Sequence, residues 1–227
     1  MATTQKGPLR QGRERDLIAA TRALFDERGM QDAPIEEIAR SVGIARGLIY
    51  REFSSKEELF VAAVTDYLRE LEGELDAAER DGPEDVAARL ECTAEAFAGF
   101  CERYPAFLDS SLALMRRPAR ELNEIVSEEI WLRLGQGMAN CIDHVTRILR
   151  SGVERGELEL ADPELTANLL WTQILGAMHL ARIRVGMRRT QAGAPELFTV
   201  EPGQIVRACV ASALATAGAG ASAPKRA

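Results

Sequence analysis

SVGIARGLIYREF, residues 41–53, holds two glycines, Gly43 and Gly47, in a stretch that otherwise reads as helix. Inside a helix each glycine costs roughly 1 kcal/mol relative to alanine, so a segment built only to fill a core has no use for them. Upstream, Ile35, Ile38, Ala39 and Val42 fall at i, i+3, i+4, i+7 and end at Gly43, and Pro34 suits the first turn of that helix. Downstream, Ile49 and Phe53, with Ile44 at the entrance, give a third short helix over about 45–52. Before both, Leu17, Thr21, Leu24, Phe25 and Arg28 keep helical spacing up to Gly29, which places a first helix over about 10–28. Two short helices joined by a Gly43-Ile44 turn and preceded by a third form a helix-turn-helix pattern. The chain stops and restarts because a second helix must stand off from its support at a steep angle, and one continuous helix cannot. The face of the third helix not needed for packing is Ala45, Arg46, Gly47, Leu48, Tyr50 and Arg51. Such a face suits a DNA major groove about 12 Å wide, and a glycine there lets the backbone come close.

Composition bounds the remainder. The chain has 227 residues, 46% hydrophobic but only 5% aromatic, rich in Ala, Leu, Glu and Arg, which predicts an all-α protein. There is no apolar run long enough for a membrane span and no secretory signal, so a cytoplasmic location is expected. The net charge of −7 is unevenly spread: residues 1–60 hold 10 Lys/Arg and 10 Asp/Glu, leaving the whole excess to residues 61–227. The extreme N-terminus, with Lys6, Arg10, Arg13 and Arg15, is locally basic, and Arg10 and Arg13 are expected near a phosphate strand. Cys92, Cys101, Cys141 and Cys209 lie far apart and read as free thiols. Cys141 and His144 form a lone C-x-x-H without a second ligand pair, so no metal is expected, and no cofactor.

Beyond residue 54, Ser55-Lys56-Glu57-Glu58 reads as a capping box launching a long helix through Leu59, Phe60, Tyr67, Leu71 and Leu75. Further helices are expected over 84–103, 105–116, 118–151, 163–187 and 203–217, with a loop at 188–202 and no strand. The organisation expected is a DNA-binding domain over 1–54, a helical domain over 55–217 and a disordered tail over 218–227.

IEEIARSVGIARGLIYREFSSKEELF, with its ordered glycines, Tyr-x-x-Phe and Lys-x-x-Leu, resembles the DNA-binding signature of the TetR family of transcriptional regulators. The resemblance covers about 50 residues of the first quarter; the remainder is similar only in its succession of helices. It implies a ligand-responsive DNA-binding regulator, a repressor released from its operator by a small-molecule effector, and not an enzyme. It also implies a homodimer joined through the last two helices into a four-helix bundle. Carried over residue by residue, Arg46 stands at a base-contacting position, Tyr50 at a phosphate-bonding one, and Lys56 where a helix start meets the phosphate chain. The sequence departs from the family pattern at Ala33 and Ala45, where a threonine or serine would cap and touch phosphate, and at Glu52, whose carboxylate would repel phosphate. Arg51, or Lys56 at i+4, is placed to neutralise Glu52.

For an effector pocket the later helices offer Phe97, Phe100, Tyr104, Phe107 and Met115. They also offer Trp131, Met138, Trp171, Gln173 and His179, the last in an apolar run where a buried imidazole needs a partner. The competing reading is a helical ligand-binding or scaffold protein with weakened DNA binding, for which Ala33, Ala45 and Glu52 speak. An enzyme has less support, since the sequence carries no Gly-rich phosphate loop or nucleophile–base motif.

Overall fold

The computed structural model describes residues 8–29, 34–80, 82–116 and 119–218. Ala33, Lys6, the side chain of Arg10, Pro118 and the tail beyond residue 218 lie outside the described residues. The order of elements is α1 (Pro8–Arg28), α2 (Ile35–Val42), α3 (Arg46–Glu52), α4 (Lys56–Arg80), α5 (Val86–Arg103) and α6 (Pro105–Met115). There follow α7 (Ala119–Ile125), α8 (Glu128–Glu154), α9 (Pro163–Ile183), β1 (Val185–Arg189), β2 (Pro195–Thr199) and α10 (Pro202–Ala217). The chain is mostly helical and begins with the expected helix-turn-helix. Its contacts divide it into two compact units, Met1–Arg69 with Pro105–Gly137, and Glu70–Tyr104 with Met138–Ala227; the division falls inside α4 and inside α8.

In the first unit, α2 ends where Gly43 takes a left-handed conformation at φ 72, which lets its own N–H and that of Ile44 close onto the carbonyls of Arg40 and Ala39. An alanine there would carry a Cβ into that strained region. Leu17, Phe25, Ile38, Ala39, Ile49 and Phe53 are buried together as the core of the three-helix head. Helix α4 is tied to α1 by polar and aromatic contacts. The Tyr67 hydroxyl donates to Asp26 at 2.5 Å, Arg22 pairs with Asp66 at 2.7 Å, and the Phe25 and Phe60 rings meet edge-on at 4.7 Å.

At its start, α4 departs from a simple capping box. Ser55 Oγ accepts the Glu58 N–H at 2.9 Å, as expected of a cap, and donates to the Ile125 carbonyl at 3.1 Å. The Glu58 carboxylate does not return to Ser55; it accepts from the Ser54 N–H and hydroxyl and from the hydroxyl of Ser127. A buried anion is thus held by neutral donors at a helix N-terminus.

The second unit packs α5, α9 and α10 with the latter part of α8 around Val86, Leu90, Ile148, Leu149, Ala167 and Leu170. Three expectations need correction here. The single helix over 118–151 is two, because the chain breaks at Val126-Ser127, where Ser127 turns its hydroxyl to Glu58 and its carbonyl accepts the Trp131 N–H. Helix α8 does not stop before Gly152 but runs through it, because Leu158 and Val86 pack against the bare backbone; a Cβ at Gly152 would lie 2.7 Å from Leu158. The chain is also not purely helical: α9 ends at Ile183, and Val185–Arg189 pairs antiparallel with Pro195–Thr199 in the register Val185↔Thr199, Met187↔Leu197, Arg189↔Pro195. Phe198 lies over Gly186 across the strands, where a Cβ would meet the ring at 2.4 Å.

Burial by itself would raise the pKa of Glu58, but the hydrogen bonds from Ser127 and Ser54 outweigh it and hold the group below its ordinary value of 4.5. The stabilisation it gives is therefore complete above the unfolded-state value and is lost as pH falls through the lower folded value. Glu58→Gln is expected to lower the unfolding free energy at neutral pH by about 1–3 kcal/mol. Urea titrations of wild type and variant should show that gap closing on acidification below the ordinary carboxylate range; a gap constant with pH would refute the account.

Candidate nucleic-acid interface and effector cleft

Helix α3 is seven residues long and buries only Ile49. Fixing Ile49 inward turns Arg46, Gly47, Tyr50 and Arg51 outward, and all four are exposed, with Leu48 half-buried beside them. Arg46 and Tyr50 remain 58% and 41% exposed. The structure brings these two together: the Arg46 guanidinium lies 3.5 Å from the Tyr50 hydroxyl and 5.6 Å from the ring centroid. Its other nitrogen pairs with Glu36 of α2 at 2.6 Å, a partner that the sequence did not reveal because Glu36 reads as an ordinary first-turn acid. A Cβ at Gly47 would meet nothing within 4 Å, so no contact of the chain itself calls for a glycine there. Ala45 stands as the N-cap of α3 with no side-chain cap hydrogen bond. Lys56 sits apart from the Arg46–Tyr50 pair, at the first position of α4, with its ammonium 4.8 Å from the Phe60 ring.

Glu52 is where the expectation fails usefully. Its side chain is only 5% exposed and accepts from Arg13 of α1 at 3.0 Å. The carboxylate is nearly enclosed and pairs with Arg13 of α1, a cation that the sequence did not point to. Arg13, expected near phosphate, forms this ion pair through one nitrogen and stays more than a third exposed.

The second unit encloses a cleft of about 570 Å³, counting the space at its mouth. Leu75 of α4, Leu90 and Phe97 of α5, Ile142 and Val145 of α8 and Trp171 of α9 form its apolar walls. Phe97 and Trp171 meet edge-on at 4.9 Å, and Gln173 lines the cleft while its amide donates to Ser212. Of the ten residues expected at a pocket, Phe97, Trp171 and Gln173 line this one. The other seven do not. Phe100 is core beneath Tyr104, whose hydroxyl donates to Glu70 at 2.6 Å. Phe107 packs on Tyr67 in the first unit, where Met115 and Trp131 also lie. Met138 is half-buried outside the lining. His179 is exposed, on the outer stripe of α9 with Gly176 and Ile183. Periodicity separated inside from outside but could not tell a filled interior from a hollow one.

Cys141 and Cys209 also line the cleft, and burial pushes the Cys141 thiol up to about 12. His144 turns the other way, to Glu79 at 2.8 Å, so Cys141 and His144 do not face a common site.

The profile of the family described as "Bacterial regulatory proteins, tetR family" matches residues 17–63. The HTH-type transcriptional regulator BetI of Stenotrophomonas maltophilia is 35% identical over 34% of this chain and 40% of its own length. The chain thus matches about two-fifths of that relative. The HTH-type transcriptional repressor KstR2 of Rhodococcus jostii is 27% identical over 64% of this chain and 67% of its own. Among solved structures, the regulator FadR of Bacillus subtilis in complex with stearoyl-CoA is similar in fold, with a TM-score of 0.64 at 12% identity over 89% of this chain and 98% of that one.

Because open space surrounds Gly47, Gly47→Ala is expected to stabilise the fold, by up to about 1 kcal/mol at a helix position. A urea midpoint that falls instead would reveal an internal contact there.

Proposed function

We propose that this chain, which belongs to the TetR family of bacterial regulatory proteins, is a homodimeric repressor that leaves its operator when a small molecule enters the cleft. One observation carries the reading: α3 commits Ile49 to the core and leaves Arg46, Gly47 and Tyr50 outward. In the proposed complex Arg46 reads a base edge, Gly47 lets the backbone approach, and Tyr50 and Lys56 hold phosphates, with Ala45, Leu48 and Arg51 lying alongside. Reading two half-sites one helical turn apart needs a two-fold dimer, for which the exposed surfaces of α9 and α10 are the candidates.

The effector proposed is an uncharged, largely apolar molecule. No Asp, Glu, Lys, Arg or His lines the cleft, so a charged group entering it would lose its hydration without a counter-ion. Binding must favour a state in which the two heads are wrongly spaced, because a ligand indifferent to the two states shifts nothing.

The alternative, a helical carrier with weakened DNA binding, rested on Ala33, Ala45 and Glu52. The inward pairing of Glu52 with Arg13 removes the strongest of these objections.

The two readings part in a duplex-binding titration. Arg46→Ala should weaken specific binding by about 1–3 kcal/mol while leaving non-specific binding nearly unchanged. Gly47→Ala should weaken binding despite its stabler fold, and affinity should fall steeply with salt. Selection from a random duplex pool that yields no specific site at low salt establishes the carrier instead.

A further inference from the structure

The outer stripe of α9 is Leu165, Leu169, Thr172, Gly176, His179 and Ile183, all exposed. The steps between them are 4, 3, 4, 3 and 4 residues, the same read from either end. A stripe with that symmetry is complementary to itself when two copies cross antiparallel. Leu165 then meets Ile183 of the second copy, Leu169 meets its His179, and Thr172 meets its Gly176 at the two-fold axis. Gly176 permits close approach there, since no heavy atom of its own chain lies within 4 Å of where its Cβ would be.

Charge follows the same symmetry. Residues 154–164, leading into α9, carry Glu154, Glu157, Glu159, Asp162 and Glu164 against Arg155 alone, a net of −4. Residues 179–189, leading out of it, carry Arg182, Arg184, Arg188 and Arg189 and no acid, a net of +4. The two segments lie at opposite ends of a helix about 30 Å long. Within the chain Glu157 pairs with Arg155, Glu164 with Arg150 and Arg188 with Glu196, so the charges offered to a second copy are chiefly Glu154 and Glu159 against Arg184 and Arg189. An antiparallel second copy sets each against its opposite.

The hairpin β1–β2 continues from the basic end. One of its faces carries Val185, Met187 and Leu197, with Met187 and Leu197 paired across the strands yet 71% and 65% exposed. Two strands of five residues do not stand alone in water with both sides wet. Arg184, at its base, holds a left-handed conformation at φ 54, the only non-glycine residue with positive φ among those described. Glycine or asparagine would suit that backbone better, and arginine there sets a cation at the C-terminus of α9, beside the hairpin.

We propose that the hairpin is an arm that reaches across the two-fold axis and seats on the acidic entrance to α9 of a second copy of this chain. Arg184 and Arg189 meet its Glu154 and Glu159, which form no ion pair within their own chain among the described residues, and the Met187–Leu197 face covers its Leu165. The proposal rests on the dimer reading above and adds to it an exchanged arm with a fixed direction.

Sedimentation equilibrium of the full chain over a dilution series tests it. Arg184→Glu with Arg189→Glu should weaken self-association by at least about tenfold at low salt, and so should Glu154→Arg with Glu159→Arg. An equimolar mixture of the two variant chains should form heterodimers almost exclusively by native mass spectrometry, because only there does every arm face its opposite charge. Arg184→Gly, which relieves the left-handed residue, should keep or raise the melting temperature while weakening the dimer. If all these variants dimerise as tightly as wild type with statistical mixing, the arm is refuted and the two-fold reading survives. If wild type is monomeric throughout and Leu169→Glu changes nothing, the dimer reading falls and the arm with it.

Discussion

A single side chain, Ile49, decides what α3 can do. A seven-residue helix is too short to be stable by its own hydrogen bonds, so its existence depends on what it buries. Ile49 is fully buried among residues of α1 and α2, a contribution of roughly 1.5–3 kcal/mol. The left-handed Gly43 fixes the angle at which α3 leaves α2, and the Phe53 N–H closes its end on the Ile49 carbonyl. With one face committed and both ends defined, the phase of the outer face follows, and Arg46, Gly47 and Tyr50 have nowhere to point but outward.

That outer face is not a bare positive patch. Arg46 is held by Glu36, Arg28 by Glu37, and Arg13 by Glu52. The pairs differ in kind. Arg46 and Glu36 are more than half exposed, so water screens their attraction and the guanidinium is free to exchange partners. Glu52 is nearly enclosed and its pair with Arg13 is structural. The first pair parks a side chain without locking it. The second holds a carboxylate inside the head.

The head was legible in the sequence because short helices punctuated by glycines leave little freedom: Gly29, Gly43, Ile49 and Phe53 fix both boundaries and phase. The long helices were legible in existence but not in their breaks. Ser127 followed by two acids is an N-terminal signal that a continuing apolar pattern concealed. The hairpin escaped because strand patterns show when one face is buried, and here Gly186, Arg188, Met187 and Leu197 alternate nothing against water. Glu36 and Arg13 were beyond reach for another reason: which acid meets which base depends on how α1, α2 and α3 cross, and no local spacing encodes a contact across 10 or 39 residues.

Helix α9 is apolar on two opposite sides. Its inner side, Ala167, Leu170, Leu175, Met178 and Ala181, is buried against its neighbours. Trp171 and Ile174 lie on that same side and, with Ala167 and Leu170, line the cleft. The opposite side carries Leu165, Leu169 and Ile183 into solvent. Apolar stripes on two opposite sides of a helix each call for cover, and a single copy covers one. Because Trp171 and Thr172 are consecutive, a helix shift of even an ångström imposed at the cleft reappears at the outer stripe. The cleft and the proposed two-fold surface are therefore opposite faces of one helix.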